Sequence, residues 1–272
     1  MRIIAGEFRS RRLITPRDDS TTRPIPDRVK VSLFGLLRGH CEGANVFDGF
    51  AGTGAIGLEA VSRGAARCAF VEKDRDAAAM LRQNIENLGA TDRCELVIGD
   101  ALGAGALARA PRPLTLAFLD PPYPLVREPV GWMRVKAQLQ KLIEMLTDDG
   151  FAMVRTPWPF TLKLADSGPA PVVPTLQRKK KGRGSEDRWS LDREEWEKWS
   201  GKGKKGEEAA TPNEPEEPEK PGVEEAGTPA DMTIPGAVGP ETHVYHATAV
   251  HLYQKKSGET ERRRDEDTTR GV

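Results

Sequence analysis

The segment Ala117-Phe118-Leu119-Asp120-Pro121-Pro122-Tyr123 runs an apolar stretch into a carboxylate, two prolines and an aromatic ring. Proline fixes φ near about −65° and has no N–H. A turn built this way offers acceptors only: the Asp120 carboxylate and nearby backbone carbonyls such as that of Pro121. An acceptor-lined slot with Tyr123 as an aromatic wall suits an exocyclic amino group on a flat ring, as in a nucleobase. An ordinary strand-ending turn has the same residues, because Asp-Pro is itself a turn former. The tetrapeptide alone leaves both readings open.

A second constellation lies upstream. Phe47-Asp48-Gly49-Phe50-Ala51-Gly52-Thr53-Gly54 follows a strand-like run and opens a helix-like one. Glycines let backbone approach a ligand, and the start of a helix favours negative charge. The segment is not G-x-G-x-x-G, and it lacks the Gly-Lys-Ser/Thr of a triphosphate-binding loop. Glu72, about 20 residues further on at a strand tip, is placed to accept from a ribose diol, as in dinucleotide sites. Asp100 is placed to meet an adenine edge. Together they specify an adenosine-containing ligand. The competing reading is a tight turn and nothing more.

These groups need a frame that brings them together. Apolar spacing predicts helices over Pro26–Arg38 (inward face Val29, Leu33, Leu36, Leu37), Ile56–Arg63, Asp74–Leu88 and Arg134–Leu146. Strands are predicted over Asn45–Phe50, Cys68–Val71, Cys94–Ile98, Leu114–Leu119 and Phe151–Arg155, with Asp148-Asp149-Gly150 as the turn before the last of them. Strands alternating with helices indicate βαβ units and a parallel sheet covered on both faces. Ligands in such sheets sit beyond the carboxyl ends of the strands. Asp48, Glu72, Asp100 and Asp120 all fall there in this reading. Arg2–Thr15, turning around Gly6, reads as a short hairpin, and Thr21-Thr22-Arg23-Pro24 as a loop.

Charge is uneven along the 272 residues, although 41 basic side chains balance 41 acidic ones overall. Residues 1–40 hold nine Arg or Lys against four acids, which suits a polyanionic partner as well as it suits a solvated surface. From about residue 183 to 240 the chain is charged, Pro-rich and poor in aliphatics, and is expected to be disordered. Trp189, Trp196 and Trp199 are the exception in it. Thr175–Gly182 is a possible sixth strand. His243–Gln254, with alternation at Val244, His246, Thr248, Val250 and Leu252, reads as one returning strand. The expected divisions are a basic arm and helix (1–40), a core (41–182), an insert (183–240), a closing strand (241–256) and a disordered tail (257–272). Three scattered cysteines and four histidines form no zinc or disulfide pattern, which fits a reducing cytoplasm. No run of residues is long and apolar enough to span a membrane, and no signal-peptide core is present.

Asp48 to Gly54, Glu72, Asp100 and Asp120-Pro121-Pro122-Tyr123 resemble the motifs of class I S-adenosylmethionine-dependent methyltransferases. Met1-Arg2-Ile3-Ile4-Ala5-Gly6-Glu7-Phe8-Arg9-Ser10-Arg11-Arg12-Leu13, with Thr22-Arg23-Pro24, Asp27-Arg28-Val29 and Leu33-Phe34, resembles the RsmD family more narrowly. Val250-His251-Leu252-Tyr253-Gln254 is similar to that family's closing strand. The resemblance implies a Rossmann-like, seven-stranded α/β sheet, mostly parallel with the last strand antiparallel. It implies methylation of the N2 amine of a guanine in small-subunit (16S) ribosomal RNA, free or in the assembling subunit, by a cytoplasmic monomer without a metal. It places Asp120, Pro121, Pro122 and Tyr123 in catalysis. Asp48, Phe50, Gly52, Gly54, Glu72, Lys73, Asp100, Ala101 and Asp120 would surround S-adenosylmethionine, and Arg2, Arg9, Arg11, Arg12, Arg23 and Arg28 would meet RNA. The family does not require the insert. Two other readings stand beside this one: a DNA or RNA adenine-N6 methyltransferase using the same Asp-Pro-Pro-Tyr, and a catalytically silent RNA-binding scaffold acting through the insert.

Overall fold

A computed structural model describes residues 1–16, 25–163 and 227–256. Its elements run α1 (Asp27–Leu36), β1 (Asn45–Gly49), α2 (Gly57–Ser62), β2 (Arg67–Glu72), α3 (Arg75–Leu88), β3 (Cys94–Ile98), α4 (Ala104–Arg109), β4 (Leu114–Leu119), α5 (Tyr123–Arg127), α6 (Pro129–Glu144), β5 (Leu146–Pro157), β6 (Thr161–Leu162), β7 (Thr228–Pro229), β8 (Ala237–Tyr245) and β9 (Thr248–Lys255). Seven strands form one sheet in the order β3-β2-β1-β4-β5-β9-β8. The first five are mutually parallel, and β9 runs antiparallel to both β5 and β8. Strand order reverses between β1 and β4, the place where open α/β sheets bind ligands.

The central strands are apolar on both faces because both are covered. One face, with Val46, Phe70, Phe118 and Met153, packs under α1, α2 and α3. The other, with Phe47, Val71, Ala117 and Val154, packs under α4, α5 and α6. Asp74 caps α3 by accepting from the Ala77 N–H at 2.8 Å, and Gly89 ends it in the left-handed conformation.

The N-terminal residues form the expected hairpin, closed by a bridge between Arg2 and Arg12. Its fastening is buried. The Glu59 carboxylate, fully buried on α2, accepts from the Ile4 and Ala5 N–H groups at 2.7 and 3.0 Å. Ser62 Oγ accepts from the Phe8 N–H at 2.9 Å and donates to the Ala5 carbonyl at 2.6 Å. Asn84 on α3 binds both backbone groups of Ile14 and donates to the Thr53 carbonyl at 3.0 Å.

Several expectations change. The returning strand is a hairpin, β8 and β9, turning at His246-Ala247. A two-residue turn keeps the period-2 alternation in phase, so the sequence reads as a single strand. The segment read as insert is built into the fold from residue 227. There Thr228–Pro229 pairs with Thr161–Leu162, Ile234 is buried, and Tyr253 Oη and Trp132 Nε1 donate to the Met232 and Asp231 carbonyls. Buried Ile234, with partly buried Ala230 and Met232 beside it, anchors a stretch whose composition alone argues for solvent. Asp148-Asp149-Gly150 does not precede β5 but interrupts it as an irregularity opposite Thr115. α6 starts at Pro129 rather than Arg134, and α1 buries Lys30 and Phe34 while Leu36 is exposed. Thr175–Gly182, the three insert tryptophans and the Thr21–Pro24 loop lie outside the described residues.

Candidate active site

The backbone leaves β1 at Gly49 and turns sharply. Phe50 holds φ +61°, a left-handed conformation that is strained for a residue with a side chain. Gly52 and Gly54 are left-handed as well, at +56° and +89°. A Cβ on Gly54 would come within 2.4 Å of Leu81 Cδ1, so a side chain there would push α2 and α3 apart. A Cβ on Gly52 would meet nothing, because it faces the open side of the turn. That open face, at the start of α2, has the form of a cradle for a small ligand.

Three predicted acids stand near the rim, and the fourth lies below it. Glu72 ends β2, and its carboxylate accepts from the Gly52 and Asp74 N–H groups, both at 2.7 Å. It fixes the glycine turn. Asp100 lies two residues past β3, half exposed, accepting from the Leu102 N–H at 3.0 Å and pairing with Arg134 at 2.9 Å. Asp120 follows β4, and its own N–H reaches back to the Gly49 carbonyl at 3.3 Å. Ala101 is buried beside Asp100, and Lys73 is exposed beside Glu72.

Asp48 departs from its expected place. It sits inside β1, one residue below the rim, and is buried. Its Oδ2 accepts from the Gly57 N–H at 2.8 Å, and its Oδ1 has no partner among the described residues. Asp48 therefore braces the turn from behind. Burial pushes its carboxyl up to about 8, with the charges of Asp120 and Glu72 adding to the effect and the Gly57 N–H opposing it.

This has a sign. An unfolded aspartate sheds its proton near 3.8, so between there and about 8 the folded chain holds a proton that the unfolded chain lacks. Stability must fall as pH rises through that window. Buried His251 works the other way: burial pushes it down to about 4 from 6.5, so its contribution is lost as pH falls through that range. From pH 6.5 to 8 Asp48 acts without that opposition. Denaturant unfolding across that range is expected to show wild-type stability dropping by up to about 1.4 kcal/mol per pH unit. Asp48→Asn is expected to flatten the slope, and an equal slope in both proteins would exclude Asp48 as its source.

Two neighbours of the Asp-Pro-Pro-Tyr turn escaped the sequence reading. Arg155, on β5, forks onto Asp120: Nε to Oδ1 at 2.6 Å and a terminal nitrogen to Oδ2 at 3.0 Å. The side chains of Arg155 and Asp120 are 8% and 14% exposed. The guanidinium carbon also lies 5.5 Å from the Tyr123 ring centroid. Burial works against the charge of Arg155, but Asp120 more than offsets this, and its pKa is raised. Tyr123, the first residue of α5, donates its hydroxyl to Thr248 Oγ1 at 2.7 Å, and Thr248 donates to the Thr156 carbonyl at 3.0 Å. The place of Arg155 follows from register, which the sequence does not show: Leu119 pairs with Val154, so the next residues are Asp120 and Arg155.

The arginine arm runs along α2 and α3. The tip of its hairpin is tied to the end of α2, where the Glu7 N–H donates to the Ser62 carbonyl at 2.7 Å, and to Arg93, which precedes β3 and pairs with Glu7 at 2.8 Å. That is the amino end of the strands, opposite the acids. Arg9 and Arg12 are exposed, and Arg11 donates to the Asn87 carbonyl at 2.7 Å; the arm then runs back toward the glycine-rich turn, where Ile14 and the Thr53 carbonyl share Asn84. Arg2 pairs with Asp27 at 3.1 Å, Arg28 is exposed on α1, and Arg23 lies outside the described residues. Among the described residues no cluster of His, Cys, Asp or Glu is placed to hold a metal, and no helix is long and apolar enough to cross a membrane.

A glycine-rich turn after the first of five parallel strands, acids at the strand tips and an antiparallel closing hairpin define the class I methyltransferase architecture. The solved structure of yhhF from Escherichia coli shares this fold with a TM-score of 0.54 at 24% identity, over 94% of this chain and 98% of its own. The chain belongs to the family described as Conserved hypothetical protein 95, which matches residues 1–164. Ribosomal RNA small subunit methyltransferase D of Escherichia coli (strain K12) is 34% identical over 166 residues, 58% of this chain and 81% of that protein. YlbH of Bacillus subtilis (strain 168) is 36% identical over 154 residues, 56% of this chain and 79% of that protein.

Proposed function

We propose that this protein transfers a methyl group from S-adenosylmethionine to the exocyclic N2 amine of a guanine in small-subunit ribosomal RNA, in the cytoplasm, on free RNA or on the assembling subunit. One observation carries the reading. The Asp-Pro-Pro-Tyr turn and the glycine-rich turn share a rim and are joined directly, Asp120 N–H to Gly49 carbonyl at 3.3 Å. A methyl acceptor held by the first would then face a methyl donor held by the second.

The fit of the donor rests on the open face of Gly52, the Glu72 carboxylate beside it and the half-exposed Asp100. When bound, S-adenosylmethionine supplies an electrophilic methyl on a sulfonium. Glu72 would hold the ribose hydroxyls and Asp100 the adenine edge. The guanine N2 lone pair is delocalised into its ring and attacks poorly. Asp120 and the Pro121 carbonyl would accept the amino hydrogens and turn the lone pair toward the methyl. A C–N bond would replace the C–S bond, with the electron pair left on sulfur and the surplus proton of the nitrogen passing to water. Positive charge grows on nitrogen in that step, so fixed acceptors favour the transition state over the ground state. Tyr123 would stack on a base drawn out of its helix or loop.

Mapping tritiated methyl groups onto ribosomal RNA from a strain lacking the protein tests the reading. Label on a guanine N2 of the small-subunit RNA supports it; label on adenine N6 selects the other amino-methylating chemistry. The arm has its own test. Arg9, Arg11 and Arg12 replaced together by alanine are expected to reduce the slope of log affinity against log salt by about 2 to 3. An unchanged slope removes them from the RNA contact.

A further inference from the structure

We propose that Arg155 is a positioning residue for methyl transfer: it locks the direction of the Asp120 carboxylate and supports the Tyr123 ring, so that acceptor and stacking wall form one rigid unit. The inference rests on the methyltransferase reading above and extends it to a residue outside the Asp-Pro-Pro-Tyr motif.

The geometry is specific. A carboxylate after a strand rotates freely about two side-chain bonds. Here both oxygens are taken by one planar fork, at 2.6 and 3.0 Å, which fixes both rotations at once. Each oxygen keeps one lone pair, and these point in set directions. The same guanidinium stands 5.5 Å from the Tyr123 centroid, and the ring is pinned at its other end through Thr248 at 2.7 Å. Thr248 pairs with Pro157, two residues along β5 from Arg155. Strands β5 and β9 thus deliver the supports, while β4 delivers the groups they support.

The charge balance sharpens the argument. Nitrogen becomes positive as it is methylated, and an unpaired carboxylate would stabilise that charge by its field. Paired with a buried guanidinium, the carboxylate gives up most of that field. An arginine placed here weakens electrostatic help and is useful only if direction matters more. Methyl transfer needs nucleophile, methyl and leaving sulfur nearly in line, a demand in which orientation is worth large factors in rate.

Arg155→Lys keeps the charge and most of the length but loses the fork. Arg155→Gln keeps polarity and loses the charge. Both are expected to lower kcat by about 10- to 100-fold. The KM for S-adenosylmethionine and the affinity for S-adenosylhomocysteine by calorimetry are expected to stay within about twofold, because the glycine turn is untouched. In an Asp120→Asn background, Arg155→Lys is expected to add less than about threefold, because the two residues act as one unit. If Arg155→Gln fails to fold, Arg155→Lys decides alone. Wild-type kcat in Arg155→Lys, or an equal loss with and without Asp120, overturns the proposal. Incorporation is counted on total RNA, and the methylated base is then identified by digestion. Label on adenine would sink the guanine assignment and leave the Arg155 comparison standing.

Discussion

Asp120→Ala is expected to lower methyl transfer by about 10²- to 10³-fold, the usual loss when a preorganised polar group at the reacting atom is removed. Affinity for S-adenosylmethionine is expected to hold, since Glu72 and the glycine turn have their own backbone anchors. The structure adds a second consequence. Arg155 would keep its buried charge without the carboxylate that compensates it. Breaking one side of a buried pair costs about 3–5 kcal/mol. The alanine variant should therefore be both inactive and markedly less stable. Asp120→Asn separates the two effects, since its amide keeps one acceptor oxygen and the same shape. It is expected to fold with a smaller loss and still to transfer methyl poorly, having an N–H donor where the slot needs acceptors. Calorimetry with S-adenosylhomocysteine and denaturant unfolding, beside the methyl-transfer assay, check each part. Near-normal turnover in a folded Asp120→Ala would remove Asp120 from the chemistry.

The second large effect lies far from the rim. Glu59→Ala is expected to destabilise the protein by about 3–5 kcal/mol. Its carboxylate serves the Ile4 and Ala5 N–H groups, Arg63 Nε at 2.8 Å and buried Lys30 Nζ at 4.0 Å. Burial already pulls the Lys30 pKa down, and Glu59 and Asp27 hold it up. Without Glu59, Lys30 keeps its bond to the Arg2 carbonyl at 2.5 Å but loses its buried counter-charge. The arm loses two of its fastenings at the same time. Denaturant midpoints measure the global loss, and amide exchange at Ile4 and Ala5 measures the local one. Exchange there should speed up more than in β1 or β4. Wild-type protection of both amides in Glu59→Ala would show that the arm is held by something else. Glu59→Gln retains an acceptor and should fall between.

How much of this was legible before folding depends on the range of the interaction. Local periodicity placed β1 to β4 and α3 to within one or two residues, because an apolar strand between turn residues, or a capped amphipathic helix, is decided by neighbours in sequence. The glycine turn and the Asp-Pro-Pro-Tyr turn were legible for the same reason. The stretch from residue 227 to 236 was not, because its place depends on α6 and β6, more than sixty residues away in the chain. The hairpin of β8 and β9 was hidden by phase, since a two-residue turn leaves the alternation intact.

The sequence by itself determined the class of sheet, the two turns at its switch point and the family to which the motifs belong. It named Asp48 with the acids at the rim because it counted strand tips without their pleat. The tertiary structure decided that Asp48 braces the turn from behind, that Arg155 locks Asp120, and that the tip of the arginine hairpin is tied at the far end of the strands. Those three facts depend on register and on which face a side chain takes. One residue of register turns a side chain to the other face of a sheet, and only the assembled strands fix it.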